Sequence, residues 1–144
     1  MTELVDPITY PRPSGDPWAR YHQLVPTAAQ RSRERWHALC AVADLEVEWG
    51  EAALLSDTQF AVFRLWDDVV HVVSNLDPAT GAAVMSRGIV GTRDDRATIA
   101  SPLLKQVYDL ATGECWTDPS LSLTVYPSRV VHGQVLVQPG FAIR

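Results

Sequence analysis

Two cysteines, four histidines and two pairs of adjacent aspartates are the side chains of this sequence most able to do chemistry. A structural zinc site needs about four Cys, His or carboxylate ligands at workable spacing. Cys40 lies in an apolar, strand-like run three residues after His37. That odd offset puts the two side chains on opposite faces of a strand. Cys115 has no histidine near it in sequence, His71 falls inside a strand-like run, His132 falls in a turn, and His22 is surrounded by prolines. The spacing therefore offers no metal-ligand set. Nucleophilic catalysis has no better basis. The Gly-x-Ser-x-Gly elbow is absent. Cys115 follows the turn Thr112-Gly113-Glu114 with no neighbouring cation in sequence to activate its thiol. Asp67-Asp68 and Asp94-Asp95 fall where turns are expected, so solvated turn residues are expected there rather than acid–base pairs. Gly81, Gly88 and Gly91 lack the spacing of a phosphate-binding loop. The sequence assigns no catalytic, cofactor-binding or metal-binding residue to this chain.

The elements that would position any site are short strands. Trp36 to Val42 is rich in apolar residues. Glu51 to Leu55 and Gln59 to Leu65 flank the turn Ser56-Asp57-Thr58. Trp66-Asp67-Asp68 then joins Phe60–Leu65 to Val69–Val73, and the β-branched and aromatic content of both runs predicts a hairpin. Further strands are expected at Gly88 to Gly91, Ala97 to Ala100, Gln106 to Leu110 and Leu121 to Tyr126. A last hairpin joins Arg129–Val131 to Gln134–Gln138 through His132-Gly133. Ala82 to Ser86 fits one helical turn that stops near Gly88. Many short strands with regular turn signals indicate an all-β sandwich or barrel.

Residues 1–33 read as a separate, Pro-rich N-terminal extension and residues 34–144 as the β domain. Five prolines between Pro7 and Pro26 exclude a long helix or a central strand. A helical turn is expected from Thr27 to Arg33, with Thr27 as its cap. Tyr10, Trp18, Tyr21 and Leu24 give the arm something to bury, either on its own domain or on a partner.

The 144 residues fit a single domain, 47% of them hydrophobic and 20% charged. A net charge of −5 argues against nucleic acid and against an anionic membrane surface as partners. No apolar run approaches the roughly 20 residues of a spanning helix. The start Met1-Thr2-Glu3-Leu4-Val5-Asp6 lacks the pattern of a secretory signal. A cytoplasmic protein with two unpaired thiols is the resulting expectation.

The order of loops carries more than any single residue. Val72-Val73-Ser74-Asn75-Leu76-Asp77-Pro78 ends a strand, and Ala100-Ser101-Pro102-Leu103-Leu104-Lys105-Gln106-Val107-Tyr108-Asp109-Leu110 leads to Thr112-Gly113. This resembles the Rieske [2Fe–2S] ferredoxin fold from about Trp36 to Val137. That family carries C-x-H in the first loop and C-P-x-H-G-x-x-F-D-x-x-T-G in the second. Here Asn75 and Asp77 stand in the first motif, Ser101 and Leu104 in the second, while Tyr108-Asp109-Leu110 and Thr112-Gly113 match its tail. A hydroxyl is a poor iron ligand beside thiolate, Leu104 cannot coordinate, Asn75 is neutral, and Asp77 is a hard oxygen ligand left alone. The vacant loops are expected to pack on each other through Leu76, Leu103 and Leu104.

Within Rieske-like proteins, the pattern is similar to the small subunit of the assimilatory NAD(P)H-dependent nitrite reductase, through Ser74–Pro78, Gly81–Gly91 and Ala100–Gln106. That resemblance implies a clusterless chain that docks on or stabilises a large subunit. The large subunit would carry FAD, a [4Fe–4S] cluster and sirohaem and reduce nitrite to ammonium in nitrate assimilation. The former ligand positions Asn75, Asp77, Ser101 and Leu104, with Arg87, Lys105 and Gln106, would form the partner-facing tip. The alternatives are a Rieske electron carrier and a stand-alone β-barrel interaction module.

Overall fold

A computed structural model of the chain describes residues 26–143. The arm aromatics Tyr10, Trp18 and Tyr21, with Leu24, lie outside the described residues. Thr27 caps helix α1 (Ala28–Glu34) with a reciprocal box: its side chain accepts from the Gln30 N–H, and its own N–H donates to Gln30 Oε1 at 2.7 Å.

Ten strands follow among the described residues: β1 (His37–Ala41), β2 (Gly50–Leu55), β3 (Thr58–Arg64), β4 (Val70–Ser74), β5 (Ile89–Arg93), β6 (Arg96–Ala100), β7 (Val107–Asp109), β8 (Val125–Tyr126), β9 (Ser128–Val131) and β10 (Gln134–Val137). They form three antiparallel sheets, ordered β1-β10-β9, β2-β3-β4-β8 and β5-β6-β7. The β2–β3–β4–β8 sheet is the centre of the molecule. Phe60 and Val62 of β3 join Val72 of β4 against Val135 and Val137 of β10. The alternate residues Ala61, Phe63 and Val73 pack on Ile99 of β6 and Tyr108 of β7. This two-sided burial explains the uninterrupted apolar run Phe60-Ala61-Val62-Phe63, which lacks the alternation of a half-exposed strand.

The hairpins follow from turn chemistry. Asp94 and Asp95 have φ of 48° and 60°, and His132 and Gly133 have φ of 49° and 74°. Positive φ at both central residues of a two-residue loop is the type I′ turn that matches strand twist. The sequence-level strands are recovered with two differences. Leu121 to Thr124 is not strand: Leu123 is buried, but its N–H bonds the Gly113 carbonyl at 2.8 Å instead of joining a ladder. A bulge between Ala38 and Cys40 breaks the alternation of β1, so the offset from His37 to Cys40 does not fix opposite faces.

Two glycines let the layers close. A Cβ on Gly50, at the start of β2, would meet the Ser86 carbonyl of the loop between β4 and β5. Gly113, at φ +77°, faces the Leu123 carbonyl in the same way. The helical turn expected at Ala82–Ser86 is a 3-10 turn at Met85–Arg87, with Gly88 as its C-cap.

Candidate functional site

The loop between β4 and β5 and the loop between β6 and β7 meet at one end of the molecule. Asn75 is the anchor of the first. Its N–H and its Nδ2 both donate to Gln59, to the carbonyl at 3.1 Å and to Oε1 at 3.2 Å. Its carbonyl accepts from Val84 and Met85, and its Oδ1 accepts from the Ser86 N–H at 2.8 Å. One residue thus ties the edge of β3 to the 3-10 turn, and it is 3% exposed.

Asp77 is fully buried. Its Oδ1 accepts from the Ala79 N–H at 2.8 Å, and its carbonyl accepts from the Gly81 N–H. Its Oδ2 accepts from Ser101 Oγ at 2.5 Å. Ser101, itself 1% exposed, belongs to the other loop, so this bond joins the two. The Ser101 hydroxyl also accepts weakly from the Leu103 N–H, and the Ser101 N–H donates to the Gln106 carbonyl across the loop. Lys105, at φ 60°, makes the turn.

A second buried polar layer lies beneath. The Tyr108 hydroxyl is buried beside the Cys115 thiol without a well-formed hydrogen bond. Burial above all pushes its pKa up, reinforced by the acidic groups of Cys115 and Asp77, so it stays a neutral phenol. Asp109 is fully buried and accepts from the N–H groups of Ala111 and Thr112 at 2.8 and 2.9 Å. Its Oδ2 faces Arg96 Nε at 2.7 Å, a charge contact off the axis of a directed hydrogen bond. Arg93 and Arg96 stack on the Trp116 ring, 4.7 and 5.7 Å from its centroid. The sequence pattern alone gives Asp109 no role, because its partner Arg96 lies on another strand, which no local spacing reveals.

The residues expected at the tip are divided by burial. Asn75, Asp77 and Ser101 are inside and hold the loops in place, whereas Leu104, Arg87 and Lys105 are outside. Gln106 is half-buried with its Oε1 turned inward. The expected packing of Leu76, Leu103 and Leu104 on one another as filler is corrected: they are 49%, 47% and 58% exposed and belong to neither core. The Ser101–Asp77 hydrogen bond joins the loops instead, which leaves the leucines on the surface.

These residues do not fit a [2Fe–2S] cluster. The four positions expected to correspond to cluster ligands hold an amide, a carboxyl, a hydroxyl and an alkyl group, with no thiolate or imidazole. Three of them are already engaged in the hydrogen bonds above. Among the described residues no three His, Cys, Asp or Glu gather as a metal group. Cys115 is buried with its Sγ near Thr117 Oγ1, and Cys40 is unpaired. Burial, with Asp44 and Glu51 nearby, pushes the Cys40 thiol up, away from the reactive thiolate.

A Rieske-type frame is the class that this fold defines, and the family model described as Rieske-like [2Fe-2S] domain matches residues 35–138. The nitrite reductase (NADH) small subunit of Escherichia coli (strain K12) is 38% identical over 102 residues, covering 70% of this chain and 94% of that protein. A crystal structure of an NADH-dependent nitrite reductase small subunit from Mycobacterium tuberculosis superposes with a TM-score of 0.69 at 48% identity, over 72% of this chain and 93% of that one. The chain belongs to the nitrite reductase small-subunit family. A nitrite reductase [NAD(P)H] large subunit from Klebsiella oxytoca also matches, 33% identical over 119 residues, which is 80% of this chain but only 12% of that protein.

Proposed function

We propose that this chain is the clusterless docking subunit of an NAD(P)H-dependent nitrite reductase, an oxidoreductase that converts nitrite to ammonium in nitrate assimilation. FAD, [4Fe–4S] and sirohaem belong to the large subunit in this reading, and the chain carries no redox centre of its own. It works in the cytoplasm, in keeping with its two unpaired cysteines. No helix among the described residues is long and apolar enough to cross a membrane.

The observation that carries the reading is the buried Ser101–Asp77 bond at the place where the fold family puts redox ligands. It leaves Leu76, Leu103 and Leu104 exposed beside Arg87 and Lys105, a small apolar surface with a basic rim. The Klebsiella oxytoca relative supports the partner, because there the same domain is part of a protein named as the large subunit.

Two measurements test this. Anaerobically purified protein contains no stoichiometric iron or acid-labile sulfide; finding both in stoichiometric amount overturns the clusterless state. Leu104→Asp combined with Lys105→Glu weakens binding to the large subunit by at least about tenfold, the loss of one interface hot spot. Affinity unchanged by this pair removes the tip from the interface.

A further inference from the structure

Among the described residues, the β5-β6-β7 sheet ends in an open edge: β5 pairs there only with β6, and Arg93 and Arg96 flank the two-residue turn as a hydrogen-bonded pair. Counting back along the register, Gly91 and Ile89 also face β6, so the N–H and C=O groups of Val90 and Thr92 point away from it. The Ala97 carbonyl confirms the phase. Ala97 is the partner of Thr92, and it bonds Leu110 on the far side of β6. Among the described residues the outward backbone groups of Val90 and Thr92 have no partner.

A cleft runs beside this edge. Val90 and Thr92 form one wall, and Glu48, Trp66, Asp67 and Asp95 stand around the rest. Trp66 is 74% exposed, and Trp49, Val47 and Val69 at the same end of the central sheet are also large exposed apolar residues. Such a grouping is unusual for a surface that meets only water. Glu48, Asp67 and Asp95 make no salt bridge among the described residues, whereas nearby Asp68 is paired with Arg64 at 2.8 Å.

We infer that the β5 edge and this cleft take up an extended segment of the large subunit that carries a Lys or Arg, with its backbone on Val90 and Thr92 and its cation over Trp66. The inference rests on the docking role above and adds a second contact to the tip. An added strand places alternate side chains on the same face as Val90 and Thr92, which is the face of the cleft. A cation there meets the Trp66 ring and three carboxylates, the combination that recognises ammonium or guanidinium groups. The partner is a polypeptide edge rather than a small molecule, since the open main-chain groups are half of the recognition.

The test uses the full chain and the large subunit. Thr92→Pro removes one outward N–H that no described residue uses, on an edge where proline is tolerated. Trp66→Ala removes the ring. Each weakens the complex by at least about tenfold in an interferometry titration, while the urea midpoint of the isolated chain is kept. Photo-crosslinking from p-benzoylphenylalanine at position 92, read by mass spectrometry, is independent of any folding defect. A crosslink to a Lys- or Arg-bearing segment of the large subunit supports the inference. A crosslink to residues 1–25 of this chain, to a second copy, or to nothing overturns it. If Leu104→Asp weakens binding and Trp66→Ala and Thr92→Pro do not, the tip reading stands and the edge falls. The reverse result removes the tip and keeps the edge.

Discussion

Ser101 and Asp77 stand in two different loops that meet at one end of the molecule, and each explains the other. A buried carboxylate needs donors. Ser101 supplies one at 2.5 Å and the Ala79 N–H supplies the second. Ser101→Ala therefore leaves Asp77 Oδ2 buried without its donor and lowers stability by about 1–3 kcal/mol, read as a shift in the urea midpoint. A midpoint unchanged by Ser101→Ala means that the bond does not hold the loops. The identities at 75, 77, 101 and 104 were legible in the sequence, because motif spacing is local. Their division into three buried residues and one exposed one was not, because a loop-to-loop hydrogen bond spans 24 residues. His71 supplies a second prediction at this scale. Burial on β4 pushes its pKa down, partly opposed by the Asp109 and Asp67 carboxylates. The folded state then binds the proton less well than the unfolded chain. The stability is full above about pH 6.5, the ordinary histidine value, and is lost as pH falls through the lower folded pKa. Urea midpoints of the parent fall over that window more steeply than those of His71→Gln, and identical slopes would rule His71 out as the cause.

Elements built from local chemistry were legible, and those built by remote partners were not. The β3–β4 and β9–β10 hairpins were visible as β-rich runs around turn residues, and the Thr27 cap was visible as a residue type before a helical stretch. Leu121 to Thr124 has the composition of a strand, yet its backbone serves the Thr112-Gly113 turn, a pairing that only the tertiary fold creates. That pairing makes Gly113 a sensitive position. It has φ +77°, and a Cβ there would run into the Leu123 carbonyl. Gly113→Ala costs at least about 1–2 kcal/mol from the left-handed backbone alone, with the overlap added to it. The expected result is loss of the cooperative unfolding transition or a large drop in its midpoint. Gly133 also has positive φ but open space around it, so Gly133→Ala shows only the backbone share of that loss.

At the scale of the whole molecule, charge separates the two proposed contacts. The chain carries a net −5, and the carboxylates of Glu48, Asp67 and Asp95, which make no salt bridge among the described residues, lie by the far end of β5, beyond which the turn Asp94-Asp95 projects. Arg87 and the exposed leucines lie at the other end of the same strand, next to the loop of Ser101. A basic segment of the large subunit entering the cleft makes association electrostatically steered, and steering is screened by salt. Raising the salt from about 0.01 M to about 1 M shortens the Debye length from about 30 Å to about 3 Å. The association rate constant of the complex is expected to fall across that range, with the dissociation rate changing less. Glu48→Gln together with Asp95→Asn flattens this dependence, because two of the three carboxylates around Trp66 are then neutral. Leu104→Ala leaves the slope of the association rate in place and acts on dissociation, since it removes apolar contact without changing any charge. A rate that rises with salt, or a slope untouched by the Glu48 and Asp95 substitutions, assigns the encounter to the apolar tip instead and rules out charge steering through the cleft.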